Sequence, residues 1–166
     1  MLAGISEYFD ISMIEQFALS NVKTVSSILE PIPDASERWK SFDYLAAKEQ
    51  RDIQAKKGFR RQLIEPDMKS VGCIGKYYAK CRSTEPFLVH PNNKSLSRIF
   101  TAVEHCRLKN APEFMIRGLS ETRAHEALGQ SVIYTCFRAV GVAISQAIVN
   151  FTNAYCSGNE LQLQVA

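Results

Sequence analysis

The sequence predicts an α+β fold, a small irregular β-containing region followed by helices, and three observations carry that expectation. Residues 59–89 hold short β-prone pieces separated by polar and basic turns, whereas the flanking stretches favour helix. Near the C-terminus Val132, Cys136, Val140, Ile144 and Ile148 recur every four residues, with Ile133 and Phe137 beside them, which makes one wide apolar helical stripe. The chain has 166 residues, 46% of them hydrophobic and 22% charged, enough for one domain with a core of its own.

Taken in order, residues 11–19 read as a short amphipathic helix with Ile11, Ile14 and Ala18 on one side. Pro31 and Pro33 force residues 28–33 out of helix, because each proline restricts its predecessor. Residues 37–56, rich in Ala, Lys, Glu and Gln, form a helix by propensity and pack through Trp39, Phe42, Leu45 and Ile53. Gly58 ends it. The β-prone pieces follow at Gln62–Ile64, residues 73–78 and Pro86–Val89. Thr101-Ala-Val-Glu104 is a capping box opening a helix over residues 102–109, and Pro112 stops it. After a Gly118-Leu119-Ser120 turn the chain restarts at residues 125–128 and meets Gly129-Gln130-Ser131-Val132. A final helix over 131–149 begins there, with Ser131 as N-cap. Ala139, Gly141, Ala143 and Ala147 keep it slim, so the helix reads as one built to be buried.

Charge is unevenly spread. The net charge is only +3, but residues 1–50 carry 4 basic and 8 acidic side chains, a balance of −4. Residues 51–110 carry 13 basic and 5 acidic, a balance of +8, and residues 111–166 carry 3 and 4, a balance of −1. A basic middle third is the footprint a phosphate backbone would select, and it is also what a merely solvated face looks like. Within it Arg60, Arg61, Lys76, Tyr77, Tyr78, Lys80 and Arg82 are the candidate DNA contacts, the tyrosines interleaved with cations for phosphate and base-edge contacts. The alternative is one core tyrosine, with lysines guarding an edge strand.

Other chemistries find little support. Five cysteines form an odd set with no C-x-x-C pair, so neither a disulfide framework nor a metal site is indicated, and the chain reads as a reduced, cytoplasmic protein. His90, His105 and His125 show no ligand spacing, and the last two read as packing or surface residues on helices. The N-terminus lacks the basic start of a secretory signal, and the apolar run near residues 139–149 is too short to span a bilayer, so no membrane partner is expected. Gly72-Cys-Ile-Gly75 has the form of a G-x-x-G backbone clamp without the flanking pattern of a KH domain, and it lacks Walker A spacing.

Arg98, Thr101, Glu104, Arg107, Leu108 and Pro112, followed by Gly129-Gln130-Ser131-Val132 at the head of the last helix, resemble motifs IX and X of the DNA cytosine-5 methyltransferases. Upstream, Ile28-Leu29-Glu30-Pro31, Lys57-Gly58-Phe59 and residues 71–78 resemble the target-recognition region that precedes them. The resemblance covers roughly residues 24–149. It implies a target-recognition region over 1–97, with its basic β segment at 58–90, then a motif IX/X helical segment over 98–150 and a C-terminal tail over 151–166. The helices would complete a doubly wound α/β methyltransferase domain. Arg98, Thr101, Glu104 and Arg107 would brace the recognition region. Gln130, Ser131 and Val132 would help hold S-adenosylmethionine in the assembled enzyme, at a helix entrance whose N–H groups lack partners. Gln130 stands where Asn is commoner, and Cys73 where many relatives carry a DNA-contacting Thr.

The resemblance also marks what is missing. Cytosine C5 methylation needs a flipped base and a thiolate to attack C6, and in that family the nucleophile sits in a Pro-Cys dipeptide. Here Gly, Lys, His, Thr and Tyr precede the five cysteines. No F-x-G-x-G loop, Glu-Asn-Val triplet or Q-x-R-x-R run is present, so there is no candidate catalytic residue. The expectation is a C-terminal portion of such an enzyme, as in restriction–modification, inactive alone. It would act with double-stranded DNA and with a catalytic N-terminal subunit or half, or self-associate through the 131–149 helix. Two alternatives stand beside it: a non-catalytic DNA-binding remnant or regulator, and an unrelated α+β interaction module.

Overall fold

Pro86 begins a strand where a missing N–H is tolerated, and the Phe87-Leu88-Val89 that follows is wholly buried. This strand centres a small sheet in the computed structural model, which describes residues 7–17 and 24–163, and their side chains except at 13, 16, 17 and 157–163. Among the described residues the helices are α1 Ser12–Phe17, α2 Asp43–Gln54, α3 Ala102–Leu108, α4 Glu121–Gln130 and α5 Tyr134–Leu163. The strands are β1 Gln62–Ile64, β2 Pro86–Val89 and β3 Ser97–Arg98, with 3-10 turns at Val25–Ile28, Tyr78–Lys80 and Glu113–Ile116. By its internal packing the chain divides into two units, Asn21–Ser131 and the combination of Met1–Ser20 with Val132–Ala166.

In the first unit β1 runs parallel to β2, pairing Leu63 with Phe87, and β3 runs antiparallel, pairing Leu88 with Arg98. Lys40 adds a bridge to Ser97 through both backbone bonds, 3.0 and 2.9 Å. That bridge is why the helix expected over 37–56 begins only at Asp43: the sheet edge takes the backbone at Lys40, and tertiary pairing overrides propensity. Val25, Ile64, Ile74, Tyr78, Leu88 and Phe100 make the main core, with Trp39 and Leu108 packed on it. Cys106, Ile116, Ala124 and Leu128 make a second one between α3 and α4.

The strand expected over 73–78 is absent. Gly75 gives its N–H to the Glu85 carboxylate at 3.1 Å, and Tyr78 closes a turn back onto the Gly75 carbonyl at 3.2 Å. With those groups engaged, no ladder can form. The segment connecting β1 to β2 is therefore a loop that dips into the core at Ile74 and Tyr78.

In the second unit α1 packs against α5, and among the described side chains of α5 the buried ones are Ala139, Ala143 and Ala147, one face at four-residue spacing. The apolar stripe expected to be buried lies open instead: Ile144 and Ile148 are each 45% exposed and Phe137 is 57% exposed. Close helix approach selects the small side chains, so the covered face is the alanine face. The helix also runs on to Leu163 through most of the stretch expected as a tail. No single described helix is long and apolar enough to cross a membrane.

Candidate nucleic-acid interface

The framework behind the basic loop is a buried ion pair. Arg98 is 2% exposed and Glu104 0%, and the guanidinium meets the carboxylate in fork geometry at 2.6 and 2.8 Å. Such a pair survives burial only when its remaining lone pairs are satisfied. Glu104 achieves this by accepting from the backbone N–H of Thr101 at 2.8 Å and of Glu30 at 2.9 Å. The Thr101 hydroxyl accepts from the Glu104 N–H, completing the capping box that starts α3, and donates to the Glu30 carboxylate. Arg107 donates to the Ile28 carbonyl at 3.1 Å and to Glu113 at 2.7 Å. These four residues tie Ile28–Glu30, β3 and α3 together.

Tyr78 carries that rigidity to the surface loop. Wholly buried, its hydroxyl donates to the Pro86 carbonyl at 2.7 Å and accepts from the Phe100 N–H at 2.9 Å. Burial holds the phenol far above its ordinary pKa, so it stays neutral. Tyr78 is therefore a core anchor and not a DNA contact, which corrects the sequence reading for this residue. A second close approach fixes the same loop. A Cβ on Gly129 would lie 2.4 Å from the Gly75 carbonyl carbon and 2.5 Å from the Lys76 nitrogen, so only glycine lets α4 press backbone to backbone there.

On this support sits Tyr77, 39% exposed. The guanidinium of Arg82 lies 4.4 Å from its ring centroid, the Lys76 amine 4.9 Å and the Lys80 amine 5.0 Å. Three cations on one aromatic ring concentrate positive potential around a polar hydroxyl and an apolar face. Lys76 has a partial partner in Glu126 at 4.0 Å. Among the described residues no carboxylate lies within salt-bridge distance of Lys80 or Arg82. Cys81, between them, takes a left-handed conformation (φ 50°) that turns the chain after Lys80. Cys73 is exposed on the same loop. Arg60 and Arg61 lie at the approach to β1 and are not among the cations over the Tyr77 ring. Arg60 donates to the carbonyls of Lys57 and Phe59, and the Arg61 backbone N–H is held by Glu49 at 2.7 Å.

Gln130, Ser131 and Val132 do not form the expected helix entrance. Gly129 and Gln130 are the last turn of α4, and Ser131 is its C-cap. The Ser131 N–H and hydroxyl both bond the Leu128 carbonyl, at 3.0 and 2.8 Å, and the Gln130 amide donates to Glu126 at 3.3 Å. The Ser131 donors and the Gln130 amide are thus engaged locally. α5 begins three residues later, at Tyr134, with Phe137 already bonded to the Ile133 carbonyl. As it stands, Ser131 offers S-adenosylmethionine no free donor.

Two features escape the sequence. His105 and His125, separated by twenty positions with no motif between them, meet in the core with their Nδ1 atoms 3.1 Å apart. Glu85, one of few acids in a basic stretch, pins Gly75. Among the described residues no group of three or more His, Cys, Asp or Glu is arranged to hold a metal ion.

No family model matches the chain, and none of the curated proteins matches it. Among solved structures it is similar to the S. pombe Dnmt2 methyltransferase, with a TM-score of 0.62 and 20% identity, over 83% of this chain and 47% of that one. The Entamoeba histolytica methyltransferase EhMeth aligns with a TM-score of 0.48 and 19% identity, over 78% of this chain and 40% of that one. The chain thus has a methyltransferase-like fold and spans about half the length of the Dnmt2 structure.

Proposed function

We propose that this chain is the DNA-recognising portion of a cytosine-5 methyltransferase, acting with a separate catalytic half. The observation that carries the reading is the cluster of Lys76, Lys80 and Arg82 around exposed Tyr77, on a loop anchored through buried Tyr78. Cations there would contact phosphates and position the duplex, while the tyrosine and the neighbouring loop would reach base edges. Arg60 and Arg61 would extend the basic surface, and Arg98, Thr101, Glu104 and Arg107 would keep the loop in register. The nucleophile that attacks C6, and the pocket for S-adenosylmethionine, would come from the catalytic half. That half would complete a doubly wound domain over the open apolar face of α5. S-adenosylmethionine, when bound there, supplies the methyl group, and Gln130 and Ser131 would have to release their present bonds to touch it.

The test pairs two assays on the pure chain. Transfer of labelled methyl groups to mixed-sequence duplex DNA should read background, while the same duplex binds and Tyr77→Ala weakens that binding. Robust turnover by the pure chain, or no duplex affinity, overturns the reading. A second reading, a non-catalytic DNA-binding remnant, is favoured by the locally engaged donors of Gln130 and Ser131. It predicts that no catalytic half restores methyl transfer.

A further inference from the structure

The joint between α3 and α4 contains two histidines that see no solvent. His105 and His125 are each 0% exposed, their rings are stacked at 5.3 Å between centroids, and their Nδ1 atoms lie 3.1 Å apart. A hydrogen bond between two imidazole nitrogens needs one N–H and one lone pair. The pair therefore holds a single proton on its shared edge, with the rings neutral and in opposite tautomers. Both Nε2 atoms are buried without a partner. A further proton has no good place to go. On the shared edge it sets two N–H groups against each other, and on the outer nitrogens it meets no acceptor.

The surroundings offer no free counter-charge. From α3, Glu104 is engaged by Arg98 and two backbone N–H groups, and Lys109 adds positive charge near His105. From α4, Glu121 is held by Arg38 in a fork at 2.7 and 3.0 Å. From the basic loop comes Tyr78, a neutral phenol whose ring meets His125 at 5.1 Å and His105 at 5.8 Å, edge to face. The aromatic that seats the Tyr77 loop thus rests directly on the pair.

We propose that His105 and His125 form an acid-sensitive latch: neutral, they lock α3 to α4 and seat Tyr78, and protonated, they open that joint and release the loop carrying Tyr77, Lys80 and Arg82. The latch stands on the packing alone; its consequence for DNA binding rests on the function proposed above. Burial supports it by holding His105 down at about 3 and His125 below its ordinary value, Glu121 opposing the latter. A folded-state pKa below the unfolded one means that the unfolded chain binds more protons in acid. The stabilisation is then complete above the ordinary histidine pKa of 6.5 and is lost progressively as the pH falls from there toward about 3.

The experiment is denaturant unfolding of the full chain at about pH 7.5 and about pH 5, for wild type and for His105→Leu/His125→Met, with His90 kept in both. In wild type the unfolding constant should rise about 30-fold per histidine proton taken up over that interval. The double variant should lack this rise. Equal acid sensitivity of the two proteins overturns the latch. NMR of the wild-type histidine ring protons covers a variant that fails to fold. The expected result is two rings that stay neutral until the signals of residues 72–82 lose their dispersion in the same step. Rings that titrate near pH 6.5 while those signals stay unchanged overturn the proposal. Duplex binding at both pH values separates the two ideas. A latch present with no DNA affinity at either pH supports this inference and sinks the functional reading.

Discussion

The two units of the chain treat polarity in opposite ways. In Asn21–Ser131 an arginine and a glutamate are buried outright, and each Glu104 carboxylate oxygen accepts two hydrogen bonds. In the helical unit the buried residues among those described are alanines, while Phe137, Ile144 and Ile148 stand open on a helix with one charged residue, Arg138, between residues 134 and 156. The first unit places an ion pair in its core and cations on the loop around Tyr77. The second keeps apolar surface in reserve, worth roughly 1.5–3 kcal/mol for each large side chain that a partner would cover. Apolar periodicity identifies which face of a helix can be buried; what lies against it decides which face is.

That contrast can be broken from either side. The largest effect should come from the buried pair. Arg98→Met leaves Glu104 charged and buried opposite an apolar side chain, and should cost about 3–5 kcal/mol of unfolding free energy in a denaturant titration. A loss below about 1 kcal/mol, the level of an exposed pair, would show that the network is not the framework described.

The helical unit should answer with a smaller and face-specific effect. Ala143→Leu, on the covered face, should overpack the α1–α5 contact and cost about 1–3 kcal/mol. Ile144→Asp, one residue further on the open face, should cost under about 1 kcal/mol and abolish whatever self-association light scattering detects in wild type. Equal costs at 143 and 144 would show that both faces are packed.

Much of this architecture is legible in the sequence where the signal is local. The capping box Thr101–Glu104, the strand at Gln62–Ile64 and the strand at Pro86–Val89 stand where residue chemistry puts them, because caps and short β-prone runs depend on near neighbours. The basic cluster is half legible: Lys76, Tyr77, Lys80 and Arg82 come together, but alternation of tyrosine and lysine cannot tell the exposed ring from the anchoring one. What is illegible depends on distant partners. The Lys40–Ser97 bridge shortens a helix, Glu85 prevents a strand, and the packing of α1 reverses the covered face of α5. The helix start expected at Ser131 is missing for a subtler reason. Gly129 meets a demand from a distant segment, because the Gly75 backbone passes against it.

The most direct test of the central claim, that the Tyr77 loop is the part of this chain that meets DNA, is the salt dependence of duplex affinity. Measured for wild type and for Lys76→Gln/Lys80→Gln/Arg82→Gln, the slope of log affinity against log salt should flatten by about 0.9 for each phosphate that is no longer neutralised. A triple variant that binds more weakly, with a slope shallower by about two to three such steps, is the predicted result. An unchanged slope would mean that these cations face solvent, and that the basic charge of the chain meets DNA elsewhere or not at all.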